Sequence, residues 1–270
     1  MNRTEGVIQT GTVIASMPMF DLVEIRRETD ALWAAIAAHL GGTRTPTELT
    51  RPDVALVEHW RRPDLLLSHA CGYPAARDFG AGQHILGSFS VACGEADRPG
   101  WYRSVLLCRD DDPRAGEGVA AFGGAPVVAN DEGSLSGWVS LGWALHEAGV
   151  RPGPLQFSGA HVISLRMLIE GAADLTAVDA HTFALLTHHR SEAVRGLRVI
   201  GRGPVVAFTP LFSALAEMVD PLRVAITAAL VSSSPELRSA LMITGFVPHG
   251  IEDHLPVLAM AEQAQVAFSS

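Results

Sequence analysis

From residue 12 onward, short apolar runs alternate with amphipathic stretches, a pattern that predicts an α/β fold with largely parallel sheets. The runs at 12–16, 65–68, 84–91, 101–109, 126–129, 175–179, 197–201 and 205–209 predict strands. Residues 31–40 are strong helix formers, opened by Thr29-Asp30 and closed by Gly41-Gly42. Pro52 suits a first helical turn, where a missing N–H costs nothing, so 53–61 reads as a second helix and 69–74 as the turn that ends the 65–68 strand. Helices are also expected after residue 138, at 161–170 and 180–189, and through most of 213–231, 235–241 and 253–264. The Asp-, Gly- and Ala-rich stretch 110–124 reads as a surface loop, with Asp110-Asp111-Asp112 an exposed turn.

The chain is expected to cross between two α/β lobes near residue 101 and to return near 204, giving lobe one as 10–100 plus 205–270 and lobe two as 101–204. Two such crossings make a hinge at Gly100 and Gly203 with a central cleft. Ligand sites in open α/β sheets lie beyond the carboxyl ends of strands, which here places the loop after 126–129, Asp179, Tyr73 and the Phe20 region toward that cleft.

Composition narrows the function classes. A net charge of −9 with only 20 Lys and Arg residues, none in a basic run, argues against nucleic acid as a partner. No apolar run approaches the roughly 20 residues of a spanning helix, and residues 1–20 lack a basic start followed by an apolar stretch and a cleavage site. Cys71, Cys93 and Cys108 have no CxxC spacing and read as reduced thiols, so the expected compartment is the cytoplasm, or the periplasm for a processed form.

The chemistry centres on Asn130-Asp131-Glu132-Gly133-Ser134-Leu135-Ser136-Gly137, a polar loop between an apolar strand and the helix that starts near Trp138. First-turn amides are unpaired and the helix dipole is positive there, so the loop reads either as an anion cradle or as an ordinary Ser134 or Ser136 cap. His161 follows Ser158-Gly159-Ala160 at a second junction of the same kind. Asp179 either caps the following helix or meets a ligand's ammonium or hydroxyl group. Tyr102 either offers a hydroxyl to the cleft or fills the seam between lobes. Cys71 beside His69 has the residue types of a nucleophile and base, but reads more simply as a core thiol. His181, His188 and His189 carry no HExxH or Cys/His ligand spacing, and no GxGxxG, Walker or GxSxG motif points to a cofactor, nucleotide or serine hydrolase.

Across about 17–248 the chain resembles the substrate-binding proteins of phosphonate, phosphite and phosphate ABC transporters, which have the two-lobed type 2 periplasmic binding fold. The resemblance is carried by Tyr102-Arg103-Ser104, the Asn130 to Gly137 loop, Ser158-Gly159-Ala160-His161, Gly171-Ala172-Ala173-Asp174-Leu175-Thr176-Ala177-Val178-Asp179 and Thr244-Gly245-Phe246-Val247-Pro248. It implies a solute-binding protein that closes over a small anionic or zwitterionic ligand, with an ABC permease as partner. By the same resemblance Ser134, Ser136, Gly137 and His161 hold the anionic end and Asp179 an amino group. Leu135 stands where the family commonly has Thr, Ala160 where it has Ser, and Phe20 where a Tyr is expected. Enzymatic use of Cys71, His69 or His161, and a cytosolic sensor role, are the rival readings.

Overall fold

A computed structural model describes residues 13–42, 45–94 and 96–269, so Thr12 of the first expected strand and residues 10–12 of lobe one lie outside it. The chain opens with β1 (Ile14–Ala15), then α1 (Arg26–Leu40), α2 (Leu56–His59), β2 (Leu65–His69), α3 (Gly72–Asp78) and β3 (His84–Val91). β4 (Trp101–Tyr102) leads into β5 (Ser104–Arg109), β6 (Val127–Ala129), α4 (Ser140–Glu147), β7 (Leu155–Phe157), α5 (His161–Ile169), β8 (Leu175–Asp179), α6 (Ala180–His189) and β9 (Leu197–Arg202). The return is β10 (Val206–Ala207), β11 (Pro210–Ser213), α7 (Val219–Ser232), α8 (Pro235–Ala240), β12 (Ile243–Val247) and α9 (Val257–Phe268).

Two five-stranded sheets result, ordered β1-β2-β11-β3-β12 and β7-β6-β8-β5-β9. Both are mixed, which corrects the expectation of largely parallel sheets. β1 with β2 and β6 with β7 and β8 are parallel, whereas β11 runs antiparallel to β2 and β3, β12 to β3, and β5 to β8 and β9. The strands entered from the other sheet, β5 and β11, reverse direction, and so does β12, which runs antiparallel to β3. Their polarity is set by where the chain arrives, and the local apolar pattern does not record that. The two passages between the sheets are hydrogen-bonded to each other, Val206 opposite Tyr102 and Ala207 opposite Trp101, as a separate antiparallel ribbon.

Several elements differ from their expected bounds. The 53–61 helix is only the single turn of α2, and Pro52 lies outside it. The 69–74 turn gives way to α3, with Pro74 in the first turn, where its lack of an N–H is tolerated. Arg103 breaks the 101–109 run, and 205–209 covers β10 and stops short of β11. Pro210 opens β11, where it forfeits no interior ladder bond, and the strand displaces the start of the expected 213–231 helix to Val219.

Each sheet carries its own core. Leu32, Trp33 and Ile36 on one face of α1 are buried beside α7 with Leu65, Leu67, Leu211 and Phe212 of the first sheet. Leu106, Val127, Leu175 and Ala177 pack with Leu141 and Leu145 of α4 on one side of the second sheet, and Val105, Val128 and Val178 with Leu165 and Leu168 of α5 on the other. α9 lies on α4 and also touches α3, so it joins the helical layers of both sheets.

Asp112 is buried, in contrast to the exposed turn expected for 110–112. Its carboxylate meets Arg114 at 2.6 Å, and Arg114 also meets Asp174 at 2.8 Å. Hydrogen bonding to Arg114 holds the Asp112 carboxyl down at about 2. Asp112→Ala leaves both Arg109 and Arg114 short of a buried counter-charge and is expected to cost about 3 kcal/mol, read as a lower urea midpoint with unchanged slope.

Candidate functional site

The loop after β6 is anchored by its own polar groups. Asp131 accepts the Gly133 N–H at 2.7 Å through its carboxylate and the Ser134 N–H at 3.1 Å through its carbonyl. Ser134 then caps the next turn with an extended backbone, its Oγ accepting the Gly137 N–H at 3.0 Å. That turn, Leu135–Val139, is π-helical, closed by Val139 N–H to Ser134 C=O at 3.0 Å, and α4 follows it. Gly137 is dictated by close approach, because a Cβ there would overlap the Asn130 side-chain oxygen.

The first-turn amides meet a sulfur. Cys71, in extended conformation just before α3, accepts the Leu135 N–H at 3.3 Å, and the N–H groups of Tyr73 and Ser136 also face its Sγ. Burial outweighs these contacts and pushes the Cys71 thiol up, so it is held protonated and a poor nucleophile. His69 turns away to Thr209, with Nε2 2.6 Å from its Oγ1.

Ser136 Oγ lies 2.9 Å from Nε2 of His161, the first residue of α5. Burial pushes the His161 ring down to about 4, so it is neutral at pH 7, and its Nδ1 is buried without a partner. In either tautomer the pair has one hydrogen to spare. It is Nδ1–H when Ser136 donates to Nε2, or the hydroxyl hydrogen when Nε2–H donates to Oγ.

Behind this pair, Asp179 ends β8 and accepts the Thr182 N–H at 2.9 Å as the cap of α6. The Tyr102 hydroxyl is within reach of both Asp179 and Ser136. Burial pushes the Asp179 carboxyl up to about 7.

A cleft of about 690 Å³ opens between the two sheets. One wall comes from the segment before α1, α2 and α3, with Met19, Leu22, Leu56, Val57 and Trp60 prominent. The other carries Asn130, Asp131, Glu132, Ser134, Ser136, His161 and Thr182. Of the residues singled out in the sequence, Ser134, Ser136 and His161 therefore border the cleft, while Leu135, Gly137, Tyr102 and Asp179 lie behind that surface. Tyr73 stands beside it, its ring stacked on Trp138 at 6.1 Å, and Trp138 stacks in turn on Phe268 of α9 at 5.8 Å. Phe20 stacks on Phe208 at 5.4 Å and touches His181 at 4.6 Å, around a separate small cavity of about 30 Å³.

Cys71 as the acceptor for the cradle, and Asn130, Trp60, Leu56 and Val57 as wall residues, were not singled out in the sequence. Leu56 carries no local signal, because 53–61 reads as a full helix and the exposure of Leu56 emerges only once that helix is a single turn.

Residues 15–254 match the family described as ABC transporter, phosphonate, periplasmic substrate-binding protein. The chain belongs to that family. No curated protein matches it in sequence. Among solved structures, it is similar to PhnD1 from Prochlorococcus marinus (MIT 9301) in complex with methylphosphonate, at 13% identity and a TM-score of 0.76 over 94% of this chain and 98% of that one. A binding protein component of an ABC phosphonate transporter from Pseudomonas aeruginosa gives 14% identity and a TM-score of 0.73 over 94% and 87%. A Xanthomonas citri protein bound to ATP gives 13% identity and a TM-score of 0.65 over 95% and 98%. At these identities the structures share the fold: two α/β lobes with a cleft between them.

As a member of the phosphonate substrate-binding family, the protein is a solute-binding component of ABC uptake, and its partners are a ligand and a permease. The family is periplasmic. Among the described residues no helix is long and apolar enough to cross a membrane.

Proposed function

We propose that the protein binds a phosphonate-like oxyanion, alone or as part of a zwitterion, in the 690 Å³ cleft and delivers it from the periplasm to a permease. The observation that carries this reading is the Ser136–His161 pair, 2.9 Å apart, neutral, with one spare hydrogen and an unpartnered ring nitrogen beside a capped helix start. Such a site attracts an anion by dipole and hydrogen bond without a buried positive charge. Ser134, Ser136 and His161 meet the anionic end, with the Gly137 N–H behind them holding the Ser134 hydroxyl in place. Asp131 and Glu132 meet a cationic end, and Asp179 holds Thr182 in the wall as its cap. Residues 10–100 with 205–270 and residues 101–204 act as the two lobes, closing by a hinge motion at Gly100 and Gly203. The complex of the Prochlorococcus protein with methylphosphonate supports this choice of ligand.

Calorimetry with methylphosphonate, phosphite and phosphate, set against sulfate and carboxylates, tests the reading. Ser136→Ala removes one hydrogen bond to a charged ligand and is expected to weaken binding by about 1.5–3 kcal/mol, roughly 10- to 150-fold. Absence of binding by every phosphorus oxyanion overturns it.

A further inference from the structure

The two walls of the cleft differ in what they leave unsatisfied. Every polar side chain that the first lobe contributes is already engaged. Asp21 pairs with Arg26 and Arg51, each within about 3 Å, and Arg77 pairs with Asp78 at 2.7 Å. The Trp60 indole N–H donates to His69 C=O at 3.2 Å, and Cys71 accepts the Leu135 N–H. What remains on that wall is apolar: Met19 and Leu22 before α1, and Leu56 and Val57 on α2, with Leu56 36% exposed. The opposite wall holds an unpartnered ring nitrogen, His161 Nδ1, beside the Ser136 hydroxyl, whereas the orphaned Asn130 Oδ1 is an acceptor and offers an anion nothing.

A small, fully hydrated anion would satisfy only the second wall and leave the first facing water. From this asymmetry we infer that the ligand is amphipathic, a single oxyanion head on the Ser136–His161 side carrying an alkyl or aryl body that covers Leu56, Val57, Met19 and Leu22. The inference rests on the proposed binding role and deepens it, because it names the part of the ligand that the anion site does not touch. Asp131 and Glu132 on the polar wall favour a head of low charge over one bearing several negative charges.

The test is calorimetry on matched series, methyl-, butyl-, hexyl- and phenylphosphonate beside acetate, pentanoate, heptanoate and benzoate, with wild type and Leu56→Asp. Each methylene buried on the apolar wall is expected to tighten binding by two- to fourfold. Leu56→Asp is expected to cut hexylphosphonate affinity far more than methylphosphonate affinity, collapsing the ratio between them. Methylphosphonate binding with no gain along the chain overturns the inference and leaves the binding role standing. A chain-length gain confined to carboxylates supports the amphipathic cleft and overturns the phosphonate assignment. No binding by any member of either series overturns both.

Discussion

Lowering the pH from 7 toward 4 is expected to unfold the protein cooperatively, with a midpoint near pH 5. Burial pushes His69 and His254 down to about 3 and His161 and His181 down to about 4. In the unfolded chain these rings titrate near 6.5, so between about pH 6.5 and 4 the unfolded state binds more protons. Stability conferred by the neutral buried rings is complete above that window and is lost as pH falls through it. Asp179 works in the opposite sense. Its folded value of about 7 lies above that of a free carboxyl, so its contribution is complete below about pH 4 and is lost as pH rises to 7.

Among the groups shifted furthest, one opposes four, which leaves a net slope of roughly three protons, or about 4 kcal/mol per pH unit, and burial lowers His59 and His249 in the same direction as the four. Across the window that slope removes about 10 kcal/mol, comparable with a total stability on the order of 5–15 kcal/mol, so the fold is lost as pH approaches 4. Circular dichroism and tryptophan emission across a pH series check it, and a fully folded protein at pH 4 would contradict it. His254 is the sharpest probe, since both its ring nitrogens are buried without a partner. His254→Leu removes a titrating group and no hydrogen bond, so the midpoint should move to lower pH.

Gly142→Leu is expected to unseat the C-terminal helix. Gly142 lies in α4 where α9 comes closest, and even a Cβ would sit 2.6 Å from the Ala264 Cβ and 2.8 Å from its Cα. Backbone cannot swing aside as a side-chain tip can, so the two helices must separate. Overpacking by a whole leucine is expected to cost on the order of 4 kcal/mol or more, and Gly142→Ala about 1–3 kcal/mol. In a chain of this size the alanine variant should melt several degrees lower. Because α9 also touches α3 and the π-helical turn, Gly142→Leu should weaken ligand binding as well as stability. Thermal melts with and without methylphosphonate check both parts.

Local physics made much of this molecule legible in its sequence. The Ser134 loop, the His161 helix start and the Asp179 strand end each carry their signal within a few residues: a capping side chain, a glycine, or an apolar run ending in a carboxylate. The match to the family adds the two-lobed fold and the substrate-binding role. What escaped depends on partners distant in sequence. β11 is short and begins at Pro210, β12 contains Gly245, and their sheet positions follow from pairing with β3. The contact from Cys71 to Leu135 spans 64 residues and exists only once α3 and the loop after β6 face each other. The apolar wall was hidden because Leu56, exposed, and Val57, half-buried, look like part of an ordinary amphipathic helix until the helix proves to be one turn long.

The column of rings from Tyr73 through Trp138 to Phe268 gives the cleft an optical signature. Trp138 sits in the π-helical turn after β6, with a ring from α3 on one side and a ring from α9 on the other. Transitions of stacked chromophores couple with a strength that depends on their mutual angle, so this trio contributes a near-ultraviolet band that follows the attitude of one lobe to the other. Trp33, buried in the core beside α7, keeps the same neighbours whatever the cleft does and supplies an internal reference. Under the proposed hinge closure, the protein carries its own unlabelled reporter of ligand binding.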